Sequence, residues 1–158
     1  ITMMLAKLGT HKHDPLESLK TVRRSVLSAK ERFKRMNAYQ ILNYSACVYG
    51  LAGFNIASGL MPKRQAFNVI ISNVPGPQEP LYWNGARLEA LYPASIVLDG
   101  QALNITMTSY MDKLEVGLTA CRNALPKMQN LLTHLEEEIQ RFERIVDGEP
   151  VPKLKAVS

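Results

Sequence analysis

The sequence predicts a layered α/β domain in which a mixed sheet is flanked by helices. Three patterns carry that expectation. Apolar residues recur at helical spacing over residues 16–36 and again over 125–146. Residues 67–74 (FNVIISNV) are almost continuously apolar and β-branched, as in a strand covered on both faces, and residues 103–120 alternate apolar with polar side chains, as two antiparallel strands do.

The first element is a short apolar run, residues 1–8, read as a strand and ended by Gly9-Thr10. His11-Lys12-His13 leads into Asp14-Pro15, an N-cap followed by proline at the first helical position. The helix that follows puts Leu16, Leu19, Val22, Val26, Ala29, Phe33 and Met36 on one stripe. Its other face bears Lys20, Arg23, Arg24, Lys30, Arg32, Lys34 and Arg35 against Glu17 and Glu31, a local balance of +5 that equals the formal charge of the whole chain. Residues 36–62 carry no charge, a length that would suit a membrane span. Scattered Asn37, Gln40, Asn43, Ser45, Asn55 and Ser58, with Gly50, Gly53 and Gly59, favour a buried helix or helix pair instead.

Pro75-Gly76-Pro77 stops the β-branched run at a corner that asks for positive φ at Gly76, so the run reads as a central strand with a rigid end. Asn84-Gly85 between two short apolar segments is a hairpin signal. Further turns fall at Tyr92-Pro93, Asp99-Gly100 and residues 111–113. The polar sides of the two alternating strands face water or a lined channel. Pro126 opens the last helix, whose stripe is Leu125, Met128, Leu132, Leu135, Ile139, Phe142 and Val146. Residues 1–147 form the folded part and residues 148–158 read as a flexible tail.

Composition excludes several classes. Of 158 residues, 46% are hydrophobic and 21% charged, which rules out a disordered tail. Two cysteines, Cys47 and Cys121, rule out a disulfide scaffold and favour a reducing compartment; both read as buried small hydrophobes. No secretory signal can be drawn, and the start at Ile1-Thr2-Met3-Met4-Leu5 reads as the interior of a strand in a longer protein. There is no P-loop, G-x-G-x-x-G, C-x-x-C or H-E-x-x-H. His11 and His13 beside Asp14 lack a third ligand, and His134 sits beside Glu136, Glu137 and Glu138 on a solvated helix face, so neither a metal site nor catalytic machinery is expected in this chain. The basic helix suits anionic lipid headgroups or the phosphates of a molecule such as coenzyme A, with Arg23, Arg24, Lys30 and Lys34 as candidate contacts. Nucleic acid is disfavoured, because no aromatic side chains are interleaved with the basic ones.

The segment from Asn68 through Ser72, Asn73, Val74, Pro75, Gly76 and Pro77, followed by PLYWNGARL (80–88), LYPAS (91–95) and ALNITMTSY (102–110), resembles the C-terminal portion of bacterial wax ester synthase/acyl-CoA:diacylglycerol acyltransferases, of the bifunctional, Acinetobacter-type kind. The likeness covers nearly the whole chain, and its ISNVPGP block is the specific part. It implies a chloramphenicol-acetyltransferase-like C-terminal subdomain, with an active-site tunnel between two subdomains. In that family the second His of H-H-x-x-x-D-G acts as general base on the acceptor hydroxyl, which attacks the thioester of acyl-CoA. The motif belongs to the N-terminal half and is absent here. The resemblance therefore implies an O-acyltransferase part that supplies tunnel wall and lipid pocket, with Ser72, Asn73, Pro75, Gly76, Asn104, Thr106 and Thr108 as candidate tunnel residues.

The partners so implied are the catalytic N-terminal half of the same protein, acyl-CoA as substrate with no permanently bound cofactor, and a fatty alcohol or diacylglycerol. The implied location is cytoplasmic, or peripheral at the inner membrane or lipid inclusions. The alternative is a non-catalytic lipid- or membrane-surface-binding module.

Overall fold

The structure is a computed structural model that describes residues 3–12, 14–58 and 67–148. The predicted tail beyond Gly148 and Gly59 of the uncharged stretch lie outside them. Three helices and five strands follow in the order α1 (Pro15–Lys34), α2 (Ala38–Ser58), β1 (Val69–Val74), β2 (Tyr82–Trp83), β3 (Ala86–Arg87), β4 (Leu103–Tyr110), β5 (Lys113–Ala120) and α3 (Asn130–Val146). The mixed α/β class expected from the sequence is the one observed. The chain divides into two compact units, one over Asn37–Pro126 and the other joining Met3–Met36 to the chain from Lys127 onward.

Of the predicted first strand, Ile1 and Thr2 lie outside the described residues; in the second unit its described residues, 3–8, form no strand. They are tied to α1 by other means. Lys7 N–H donates to Ser25 Oγ at 3.0 Å, and Ser18 Oγ donates to the carbonyl of buried Gly9 at 3.3 Å. The predicted start of α1 holds, with Asp14 Oδ1 accepting from Leu16 N–H at 3.1 Å and Pro15 in the first turn. Its inward row, however, is Ser18, Val22, Val26, Ala29 and Phe33, while Leu16 and Leu19 of the predicted stripe are exposed. α3 begins later than predicted. Tight turns over residues 121–129 take the place of its first turn, because Leu125 and Asn130 amides bond back to Cys121 and Lys127 carbonyls. Leu132, Leu135, Ile139 and Val146 of its predicted stripe are exposed, whereas Leu131, His134, Glu138, Arg141 and Ile145 form the half-buried row. His134 is thus not on the fully solvated face, and its Nδ1 lies 3.4 Å from Glu137.

In the first unit α2 is a single helix opened by a capping box. Asn37 Oδ1 accepts from Gln40 N–H and Gln40 Oε1 from Asn37 N–H, both at 2.9 Å. Its predicted burial is not found among the described residues. Ile41, Tyr44, Ser45 and Val48 are half-buried, while Tyr39, Leu42, Leu51, Phe54 and also Cys47 are exposed. Cys121 is exposed as well, so neither thiol is the buried hydrophobe expected. No helix among the described residues is long and apolar enough to cross a membrane.

The sheet runs β1-β4-β5, with β1 parallel to β4 and β4 antiparallel to β5. The β-branched strand is therefore at the edge, and its Ile71 and Val74 are half exposed. β4 is central instead and supplies the buried Leu103, Asn104 and Tyr110. A continuous apolar run signals a strand to be covered on both faces, whereas only Val69, Ile70 and Ser72 of β1 are half-buried here. The Asn84-Gly85 hairpin forms as predicted, as a type I′ turn with φ of 48° and 82°.

Candidate functional site

Ladder register decides which predicted site residues meet. Partners across a ladder share a face and neighbours along a strand alternate. Ser72 pairs with Thr106, and Val74 with Thr108, so Ser72, Asn104, Thr106 and Thr108 lie on one face together with Gly117. Asn73 pairs with Met107 and belongs to the opposite face, with Ile71, Ile105 and Val116. The predicted residues therefore form two groups separated by the thickness of the sheet.

The first group is largely spent on internal bonds. Asn104 is only 5% exposed; its Nδ2 donates to Ser95 Oγ at 3.1 Å and to the Ile96 carbonyl at 2.8 Å, and its Oδ1 accepts from Thr106 Oγ1 at 3.2 Å. The same return segment lies over Gly117, where an added Cβ would run into the Pro93 carbonyl oxygen. The polar side of β4 expected to face water or a channel is thus covered, at Asn104 and Thr106, by residues 93–96 of this chain. Thr108, half-buried, donates from Oγ1 to the Val74 carbonyl at 3.0 Å.

The corner after β1 also differs from expectation. Gly76 does not adopt positive φ. It is required for another reason: a Cβ there would meet the Ser109 carbonyl oxygen, so only glycine lets the corner lie directly on the end of β4. Pro75 and Pro77 have no N–H, which makes the Gly76 amide the single backbone donor of the Pro-Gly-Pro corner. That amide donates to Ser109 Oγ at 3.0 Å and so is not free for a ligand. Asn73 is exposed, and its side-chain amide caps neither the turn nor any other described group. It is an available polar group beside a fixed corner.

On α1 the candidate contacts Arg23, Arg24, Lys30 and Lys34 are all exposed. Leu16, Leu19, Lys20, Arg23, Leu27, Lys30 and Lys34 recur at i, i+3, i+4 and i+7 spacing, so three exposed leucines share an outward face with four basic side chains. Sequence reading missed this face because it assigned Leu16 and Leu19 to the inward stripe. No cluster of three or more His, Cys, Asp or Glu that could hold a metal occurs among the described residues.

The geometry thus comprises an edge strand ending in a Pro-Gly-Pro corner, a central strand that receives it and a returning hairpin. Residues 1–143 match the family model described as the WS/DGAT C-terminal domain, and the chain belongs to that family. It is 77% identical over 146 residues to the O-acyltransferase WSD of Acinetobacter baylyi, covering 92% of this chain and 32% of that protein. A Mycobacterium tuberculosis protein named as a diacylglycerol O-acyltransferase is 43% identical over 144 residues, covering 90% of this chain and 32% of its own length. Among solved structures, the wax ester synthase/diacylglycerol acyltransferase of Marinobacter aquaeolei VT8 matches with a TM-score of 0.77 and 48% identity, over 84% of this chain and 32% of that one. The chain thus spans about a third of the length of the relatives it matches.

Proposed function

We propose that the chain is the C-terminal part of an O-acyltransferase that moves a fatty acyl group from acyl-CoA to a long-chain alcohol or a diacylglycerol. The general-base histidine belongs to the remaining, N-terminal part. In the transfer, the acceptor oxygen bonds to the acyl carbon and the carbon–sulfur bond breaks, while the histidine takes the hydroxyl proton and then gives it to the departing sulfur, so that coenzyme A leaves as the thiol. This chain binds and orients. The observation that carries the reading is the ISNVPGP corner of a WS/DGAT C-terminal domain, fixed on β4 with the Asn73 amide left unspent. Asn73 is the group assigned to donate to substrate, since the one N–H within Pro75-Gly76-Pro77 is already bonded to Ser109.

In the complete protein, Asn73→Ala is expected to lower kcat/KM for acyl transfer roughly tenfold without changing the melting temperature. Wild-type kinetics in that variant would remove Asn73 from the site. Complete protein that forms neither wax ester nor triacylglycerol would overturn the function itself.

A second role follows from the outward face of α1. Leucines interleaved with Lys20, Arg23, Lys30 and Lys34 suit a helix lying on an anionic lipid surface, with the leucines in the acyl boundary and the basic groups among the headgroups. This gives the enzyme a peripheral location at a membrane or lipid inclusion. Reversing two charges, Arg23→Glu with Lys30→Glu, is expected to weaken co-sedimentation with phosphatidylglycerol vesicles by about tenfold or more and to leave neutral vesicles unaffected. If only the KM for acyl-CoA rose, the face would be reassigned to coenzyme A phosphates.

A further inference from the structure

Four consecutive residues at the end of β4 and its turn hold the chain that leaves β1. Thr108 Oγ1 donates to the Val74 carbonyl, and the Gly76 amide donates to Ser109 Oγ. Tyr110 Oη accepts from Leu81 N–H at 3.0 Å and donates to the Leu88 carbonyl at 2.9 Å, and Met111 N–H donates to the Pro77 carbonyl at 3.0 Å. The regular β1–β4 ladder stops at Val74 and Thr108, where the prolines end it. Side chains then take over from the backbone.

Proline fixes φ but leaves ψ free, and glycine between two prolines restores much of the freedom they remove. The bond from Ser109 and the close approach of its carbonyl take that freedom away at Gly76. Tyr110 acts on the next segment. Tyr110 is 2% exposed, and its hydroxyl bonds the two chain segments at the base of the β2–β3 hairpin, whose Tyr82 and Trp83 are themselves exposed. The hairpin is held at its root and not by burial of its tip.

We propose that Ser109 and Tyr110 are positioning residues for acyl transfer. They hold the segment from Val74 to Leu88 in one geometry against β4, and so present the corner and the adjoining Asn73 to substrate. Neither is asked to touch substrate. The inference rests on the function proposed above, and its test separates the two.

In the complete protein, Ser109→Ala, Ser109→Thr and Tyr110→Phe are compared by hydrogen exchange, thermal melting and steady-state kinetics. Any peptide signal from Pro75-Gly76-Pro77 reports the Gly76 amide alone, because neither proline has one. Ser109→Ala is expected to lose protection at Gly76 and to lower kcat roughly tenfold, with KM for acyl-CoA within about twofold. Ser109→Thr restores both, and Tyr110→Phe loses protection at Leu81. Protection at Gly76 that survives Ser109→Ala overturns the inference, as does lost protection with unchanged kcat. If the unmodified protein transfers no acyl group, the proposed function fails, and with it the positioning role, while exchange at Gly76 still decides whether Ser109 holds the corner.

Discussion

Gly76→Ala is expected to destabilise the sheet-bearing unit by about 3 kcal/mol, through an overpacked contact that cannot relax cheaply. The added Cβ meets the Ser109 carbonyl oxygen, which belongs to the central strand and is not the far end of a flexible side chain. Either the corner lifts off β4, breaking the bonds to Ser109 and Met111, or β4 itself moves. Lifting is the cheaper response, so the melting temperature should fall by roughly 10 °C and acyl transfer should fall further than the loss of folded protein explains. Gly76→Val should be worse. A Gly76→Ala variant melting within a degree or two of its parent would show that the corner does not lie against β4 as described.

Asn104→Ala is expected to cost a comparable amount, about 3 kcal/mol, for a different reason. Removing a buried amide leaves the Ile96 carbonyl without its donor, and each such orphan costs on the order of 1–3 kcal/mol, to which the cavity adds. Asn104→Asp should not rescue it, because a carboxylate keeps the size but cannot donate to the Ile96 carbonyl. Two measurements decide between this account and the tunnel role that the sequence suggested. A staple loses stability, with activity following the folded fraction. A tunnel residue would change the KM for alcohol or acyl-CoA at unchanged melting temperature, and that result would return Asn104 to the substrate site.

Much of the local structure was legible in the sequence, residue by residue. Asp14-Pro15 marked the start of α1, Asn84-Gly85 the type I′ turn, and the alternation over residues 103–120 the β4–β5 hairpin. The spacing of Asn37 and Gln40 equally carries the capping box that opens α2. The family was legible too, through ISNVPGP. The helix stripes were less readable. Leu16, Leu19, Leu132, Leu135 and Ile139 are apolar at helical spacing yet exposed, because apolar spacing says only that a face is to be covered, not that this third of a longer protein covers it.

The candidate site divides along the same line. By itself the sequence determined the family, the caps and turns, and the presence of a Pro-Gly-Pro corner beside Asn73, since these depend on residues a few positions apart. Only the tertiary structure decided that β4 is central and β1 an edge, that Asn104 and Asn73 lie on opposite faces, and that the one amide of Pro-Gly-Pro is already taken. The reason is that a hydrogen-bond donor's availability depends on what approaches it in space. Ser109 reaches Gly76 from 33 residues away, and no spacing rule reads across that distance.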